Sequence, residues 1–292
     1  MYARAVLDPA AVAAIEDLEL AARLVVEGLH AGRHRSPFHG FSSEFSQHRQ
    51  YRPGDDLKHL DWKMLARTDR LYTRQFRETT TMSVMLVVDT SPSMAFPPQG
   101  VSKFRYATVV AAALAYLIVN DGDAVGLMTM QDGALRFLPA KGGRVHLRAL
   151  LTTLEALDPT AAWNAERVLT RAAELLKRRG VLLALSDFYD AEDDTRRALR
   201  RAARRGHDVG MLQVVSRAEI EFPYADDAEF EDLETGETTL VAGRGMAAAY
   251  RSAMGDFLSR CRAEAHRDGL SYALFPTDAP PSRMLRHYLL KR

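Results

Sequence analysis

The sequence predicts an α/β fold: a doubly wound, mostly parallel sheet covered by helices, preceded by an N-terminal extension. Three observations carry this expectation. Val84–Val88 and Val181–Leu185 are continuous apolar runs without alternation, the pattern of strands buried on both faces. Each run stops at an acidic turn, Asp89-Thr90-Ser91-Pro92-Ser93 in the first case and Ser186-Asp187 in the second. From Ser83 onward, strand-like and helix-like segments alternate, as in a sheet built from crossover units. At 292 residues and 47% hydrophobic composition, the chain is long enough to bury a full core. The expected division is an extension at 1–80, packed on a main domain at 81–292 that carries an acidic hairpin insertion near 217–242.

The elements follow in order. Asp8-Pro9 opens a helix whose apolar face holds Val12, Ile15, Leu18, Ala22, Val25 and Leu29. Gly28–Gly40 reads as an exposed connector. Phe41–Tyr51 holds a short strand, Arg52-Pro53-Gly54-Asp55 a turn, Asp56–Ala66 a short helix and Leu71–Phe76 another strand. After the Asp89 loop, Lys103–Asn120 is a strongly apolar helix ended by Asp121-Gly122. Gln131-Asp132-Gly133 joins Ala124–Met130 to Ala134–Leu138 as a hairpin. Lys141-Gly142-Gly143-Arg144 is a loop without the Walker phosphate-binding pattern. Helices are expected at Val145–Leu157 and Ala165–Arg179, then the strand at Val181. Ala191–Arg205 starts with acids and continues with six arginines on one face and Ala198, Leu199, Ala202 and Ala203 on the other, which describes a solvated outer helix. Val209–Val215 is a strand. Asp226–Glu237 carries seven acidic residues with Thr235-Gly236 as a hairpin tip. A helix near Gly245–Arg267, a strand at Leu270–Phe275 and a helix from Pro281 complete the chain.

The chemistry is concentrated after the first buried strand. Asp89, Ser91 and Ser93 offer a carboxylate and two hydroxyls, hard oxygen donors suited to Mg²⁺ or Mn²⁺. In a parallel sheet the carboxyl ends of the strands share an edge, which brings Asp187 toward Asp89. Two converging carboxylates call for a cation or a proton between them. The plainer reading of the same residues is that they cap the turns that follow.

Composition narrows the function classes. With 39 basic and 38 acidic residues, no global field draws the chain to nucleic acid or membrane. Cys261 is the single cysteine, which excludes an internal disulfide and a zinc cluster and fits a reducing compartment. The N-terminus lacks a signal-like apolar core, and the longest apolar stretch, Ala107–Val119, is too short for a bilayer span. A cytoplasmic protein is expected. Between Arg49 and Arg77, eight basic residues mix with four aspartates and several aromatics, which reads as a surface laced by ion pairs in preference to a nucleic-acid patch.

The stretch HRQYRPGDDLKHLDWKMLARTDRLYTRQF, from His48 to Phe76, followed by MLVVDTSPSM, resembles the domain of unknown function 58 family. HAGRHRSPFHGFSSEF upstream and FEDLETGE downstream extend the resemblance over nearly the whole chain. It implies a von Willebrand factor A-like, Rossmann-like fold with an N-terminal extension, in a bacterial or archaeal protein acting with MoxR-type AAA+ ATPases. It also implies a metal-ion-dependent adhesion site, to which Asp89, Ser91, Ser93 and Asp187 correspond. The family pattern supplies a threonine before an aspartate in an intervening loop. Here that loop runs Asp158–Asn164, Trp163-Asn164 stands in place of the pair, and Thr160 is the nearby hydroxyl. The resemblance thus implies an incomplete site.

The leading expectation is a non-enzymatic interaction module, an adaptor for a MoxR-type ATPase with Mg²⁺ or Mn²⁺ at Asp89, Ser91, Ser93, Asp187 and Thr160. The alternatives are a metal-dependent phosphohydrolase with Asp89 as nucleophile and nucleic-acid binding through basic patches. The first lacks the acid such enzymes place two residues on, since that position is Ser91. The second is opposed by the balanced charge.

Overall fold

The computed structural model describes residues 8–30, 44–52, 60–77, 81–97, 100–159, 163–176, 179–189, 193–224, 228–233, 236–241 and 243–291. The elements are α1 (Pro9–Ala13), α2 (Leu18–His30), β1 (Glu44–Gln50), α3 (Trp62–Thr68), β2 (Tyr72–Arg77), β3 (Ser83–Val88), α4 (Lys103–Asn120), β4 (Ala124–Gln131), β5 (Ala134–Lys141), α5 (Arg144–Glu155) and α6 (Ala165–Leu175). They continue with β6 (Val181–Ser186), α7 (Asp193–Arg204), β7 (Asp208–Val215), α8 (Arg217–Glu221), β8 (Ala228–Glu231), β9 (Thr238–Val241), α9 (Gly243–Arg267), β10 (Ser271–Pro276) and α10 (Pro281–Lys291).

The main sheet has six strands in the order β10-β7-β6-β3-β4-β5. Every pair is parallel except β4 with β5, which closes one edge as a hairpin. Strands β3 and β6, predicted from their unbroken apolar runs, are adjacent at the centre, with Val84 opposite Val181 and Val88 opposite Leu185. Asp132 and Gly133 in the β4–β5 turn both have positive φ, 52° and 71°. That is the conformation a two-residue hairpin loop requires, and aspartate and glycine tolerate it.

Helices cover both faces. Helix α4 lies at the centre of one layer, with α2, α5 and α10 against it or its neighbours. Tyr106, Val110, Leu114 and Ile118 of α4 are almost wholly buried, as expected for a helix apolar on all sides. The opposite layer holds α6 and α7, where Val168, Leu169, Ala198, Leu199 and Ala202 pack with Leu182 and Ala184. The arginine face of α7 pairs outward, Arg196 with Glu264 at 2.7 Å and Arg201 with Glu166 at 2.8 Å.

Two expectations need correction. The first helix is broken: α1 ends at Ala13, and α2 begins at Leu18. Asp17 Oδ1 accepts from Leu20 N at 3.0 Å, the bond of an N-cap, and Glu155 Oε1 accepts from Leu18 N at 3.0 Å. Arg105 donates to the carbonyls of Ala13 and Ile15, which holds the break open. The second correction concerns the division at residue 80. The chain forms two compact units, 38–82 and the remainder, so α1 and α2 belong to the unit that carries the large sheet. Within the smaller unit, β1 and β2 pair antiparallel and Leu60 bridges to Thr73. The acidic segment forms the antiparallel pair β8–β9. Thr160, the turn at Pro53–Asp55 and most of the expected connector lie outside the described residues.

Candidate functional site

The carboxyl ends of β3 and β6 lie side by side, and the loops leaving them are tied together. Asp89 N donates to Leu185 O at 3.0 Å. The Asp89 carboxylate then accepts from Ser91 N on Oδ1 at 2.7 Å and from Ser186 Oγ on Oδ2 at 2.5 Å. Ser91 and Ser93 hydroxyls bond each other at 3.0 Å. Two threonines stitch this loop to β4: Thr90 Oγ1 donates to Met130 O at 2.5 Å, and Thr129 Oγ1 donates to Val88 O at 2.7 Å. Asp89, Ser91, Ser93 and Asp187 therefore share one rim.

They do not share it as open ligands. Asp89 is 3% exposed and Asp187 2%. Trp163 lines a small apolar cleft together with Phe188 and Asp89. Asn164 is the N-cap of α6, its Oδ1 accepting from Arg167 N at 2.8 Å. Burial, with the charge of Asp187 adding to it, raises the Asp89 carboxyl from its ordinary 3.8 to about 7; the bonds from Ser186 and Ser91 pull the other way.

The group that completes the rim was not anticipated. Lys103, the first residue of α4, is fully buried, and its ammonium donates to Asp187 Oδ2 at 2.7 Å and to Glu219 Oε1 at 2.6 Å. The same nitrogen lies 4.4 Å from the centroid of the Tyr189 ring, a cation–π contact. Glu219 is held by the capping box of α8, where its Oε2 accepts from Ser216 N at 2.8 Å. Asp187 Oδ1 accepts from Tyr189 N at 3.1 Å, and the backbone carbonyl of Asp187 accepts from Gln213 Nε2 at 2.7 Å. Gln213 in turn accepts from the Tyr272 hydroxyl at 2.7 Å, which links β6, β7 and β10. Phe188, between them, takes a left-handed φ of 57°, uncommon for a bulky residue. Its N–H bond to Ser186 Oγ, at 2.9 Å, and its burial hold it there, so that Asp187 meets Lys103 while Phe188 enters the core.

One signal in the sequence pointed to Lys103. A cation in the first turn of a helix opposes the helix dipole, and among the apolar residues of α4 it needs acidic partners. Which acids they are, 84 and 116 residues away, could not be read locally.

The Mg²⁺ or Mn²⁺ ion implied by the family resemblance does not fit these donors as arranged. Both oxygens of Asp89 and both of Asp187 accept protein hydrogen bonds, and a fixed ammonium is already shared between Asp187 and Glu219. Among the described residues, no three acidic, histidine or cysteine side chains gather as a metal-binding group. The phosphohydrolase alternative meets the same obstacle, because a buried Asp89 with both oxygens engaged has no approach to a phosphorus atom.

Beside the rim opens a groove of about 360 Å³ whose lining includes Ser93, Phe96, Tyr189, Phe222, Tyr224 and Phe230. Phe222 stacks on Phe230 at 5.5 Å and packs against Tyr250 at 4.6 Å, which fixes the β8–β9 hairpin as one wall. No helix among the described residues is long and apolar enough to cross a membrane.

The uncharacterized protein Rv1480 of Mycobacterium tuberculosis (strain ATCC 25618 / H37Rv) is 32% identical over 233 residues, 78% of this chain and 73% of that protein. The uncharacterized protein YeaD of Bacillus subtilis (strain 168) is 28% identical over 139 residues, 46% of this chain and 33% of that one. Among solved structures, the conserved hypothetical protein BatB from Bacteroides thetaiotaomicron overlaps 72% of this chain and 98% of its own, at a TM-score of 0.46 and 16% identity. The VWA domain of SpRpn10 overlaps 73% of this chain and 96% of its own, at 0.41 and 13%. The family model described as "Protein of unknown function DUF58" matches residues 47–263, most of the sheet and its rim included, and the chain belongs to that family.

Proposed function

We propose that this chain is a non-enzymatic, cytoplasmic protein-interaction module that serves a MoxR-type AAA+ ATPase and docks it at the carboxyl rim of the sheet. The observation that carries the reading is the aromatic-lined groove beside Ser93, walled by the Asp89 loop on one side and the β8–β9 hairpin on the other. Partly exposed aromatics next to a rigid polar rim are the composition of an interface anchor site. The buried network of Asp89, Ser186, Asp187 and Lys103 has a supporting part: it fixes the loops that shape the groove, whose lining Lys103 and Glu219 join. The family resemblance supplies the class of partner. Asp89 and Asp187 are buried, and in α7 Arg196 is paired with Glu264 of α9 and Arg201 with Glu166 of α6.

The test uses the purified chain and the MoxR-type ATPase from the same genome, with affinity measured by biolayer interferometry. Ser93→Arg, which projects a bulky cation into the groove mouth, is expected to weaken binding by about tenfold or more, the scale of a central interface residue. Unchanged affinity moves the docking surface off this rim.

A further inference from the structure

We propose that Lys103 occupies the place of the divalent cation at this rim, so that the site carries its own cation and works without a metal. The inference concerns the isolated chain and stands whichever partner docks beside it.

Lys103 opens the helix that follows the D-x-S-x-S loop, and its side chain, 0% exposed, ends between the strand-end carboxylate of Asp187 and that of Glu219. At 2.7 and 2.6 Å these are charge-assisted hydrogen bonds of full strength. The Tyr189 ring covers the ammonium from a third side. A magnesium or manganese ion bound to Asp187 has to sit about 2.0–2.1 Å from its oxygen. That places two fixed positive centres on one small carboxylate, away from water, where like charges repel strongly.

The remaining donors point the same way. Asp187 Oδ1 is taken by Tyr189 N, Asp89 by Ser91 N and Ser186 Oγ, and Glu219 Oε2 by Ser216 N. The hydroxyls of Ser91 and Ser93 bond each other. Trp163 and Asn164 stand where the family pattern has the threonine and aspartate that complete the ligand set, and they do other work: one lines the apolar cleft at Asp89, the other caps α6. A site that has lost ligands and gained a buried ammonium has exchanged one cation for another. The consequence for recognition is that a partner is not captured by offering a carboxylate to a metal.

The experiment titrates Mn²⁺ into the full chain, following the unbound ion by electron paramagnetic resonance, and compares melting temperatures in EDTA and in MnCl₂. The wild type is expected to show no saturable site and no shift in melting temperature. Lys103→Ala, which leaves Asp187 and Glu219 facing each other, is expected to gain a saturable Mn²⁺ site and to be stabilised by the ion. Lys103→Arg keeps a cation and is expected to stay blind to Mn²⁺. Saturable binding by the wild type that Ser93→Ala weakens overturns the proposal. So does a folded Lys103→Ala variant that still ignores Mn²⁺. Should that variant fail to fold, the wild-type titration and melting comparison decide the matter alone.

Discussion

Asp89 is the residue whose environment departs furthest from its ordinary chemistry. Desolvation, then the charge of Asp187, hold its carboxyl neutral to about pH 7, whereas an unfolded chain releases that proton near 3.8. Between those values the folded state binds more protons than the unfolded one, so the contribution of this group to stability falls as pH rises. Asp89→Asn cannot ionise. The melting temperature of the variant is therefore expected to improve relative to wild type between about pH 4 and pH 7, and to keep a constant offset above that window. An offset independent of pH across the whole range rejects the assignment. The serines around Asp89 were legible as a turn rich in hydroxyls. Their pairing is not local: the Ser186 hydroxyl, 97 residues away in the chain, donates to Asp89 Oδ2.

Among the elements, α7 shows how far periodicity reaches. Its arginines alternate with small apolar residues at helical spacing, which predicts one solvated and one buried face, and the structure has both. Leu199 is 0% exposed, while the Arg201 side chain is 50% exposed and paired with Glu166. Leu199→Ala is expected to cost about 2–5 kcal/mol through lost burial and a residual cavity. Arg201→Ala is expected to stay within about 0.5 kcal/mol, as exposed pairs do. Urea denaturation of both variants checks the contrast, and equal effects contradict the orientation of the helix. The opening helix shows the limit of the same method. Val12, Ile15, Leu18 and Ala22 fit one continuous stripe, but Arg105 and Glu155, from α4 and α5, capture the backbone groups at its middle and split it.

For the whole molecule, the sheet order puts the unbroken apolar strands β3 and β6 at the centre and the hairpin strand β5 at an edge. Helix α2 joins this unit by its buried side, with Leu18, Ala21, Ala22 and Val25 almost wholly covered. Arg286 of α10 donates to the carbonyls of Gly28 and Leu29 at its C-terminal end, at 2.7 and 3.1 Å. Removing residues 1–30 is expected to expose the apolar surface of α4 and to abolish a single cooperative thermal transition; an unchanged melt shows α2 to be dispensable. The sequence by itself determined the α/β class, the central strands, the hairpin turn at Asp132-Gly133 and the shared rim of Asp89 and Asp187. Those rest on interactions between near neighbours and on the exclusion of water from apolar runs. Only the tertiary structure decided which charges meet, because Lys103 reaches its carboxylates across 84 and 116 residues of chain. A spacing within five residues can announce a ligand set, but which charges meet beside it depends on the distant strand end and helix, those of Asp187 and Glu219, that the folded sheet brings to its edge.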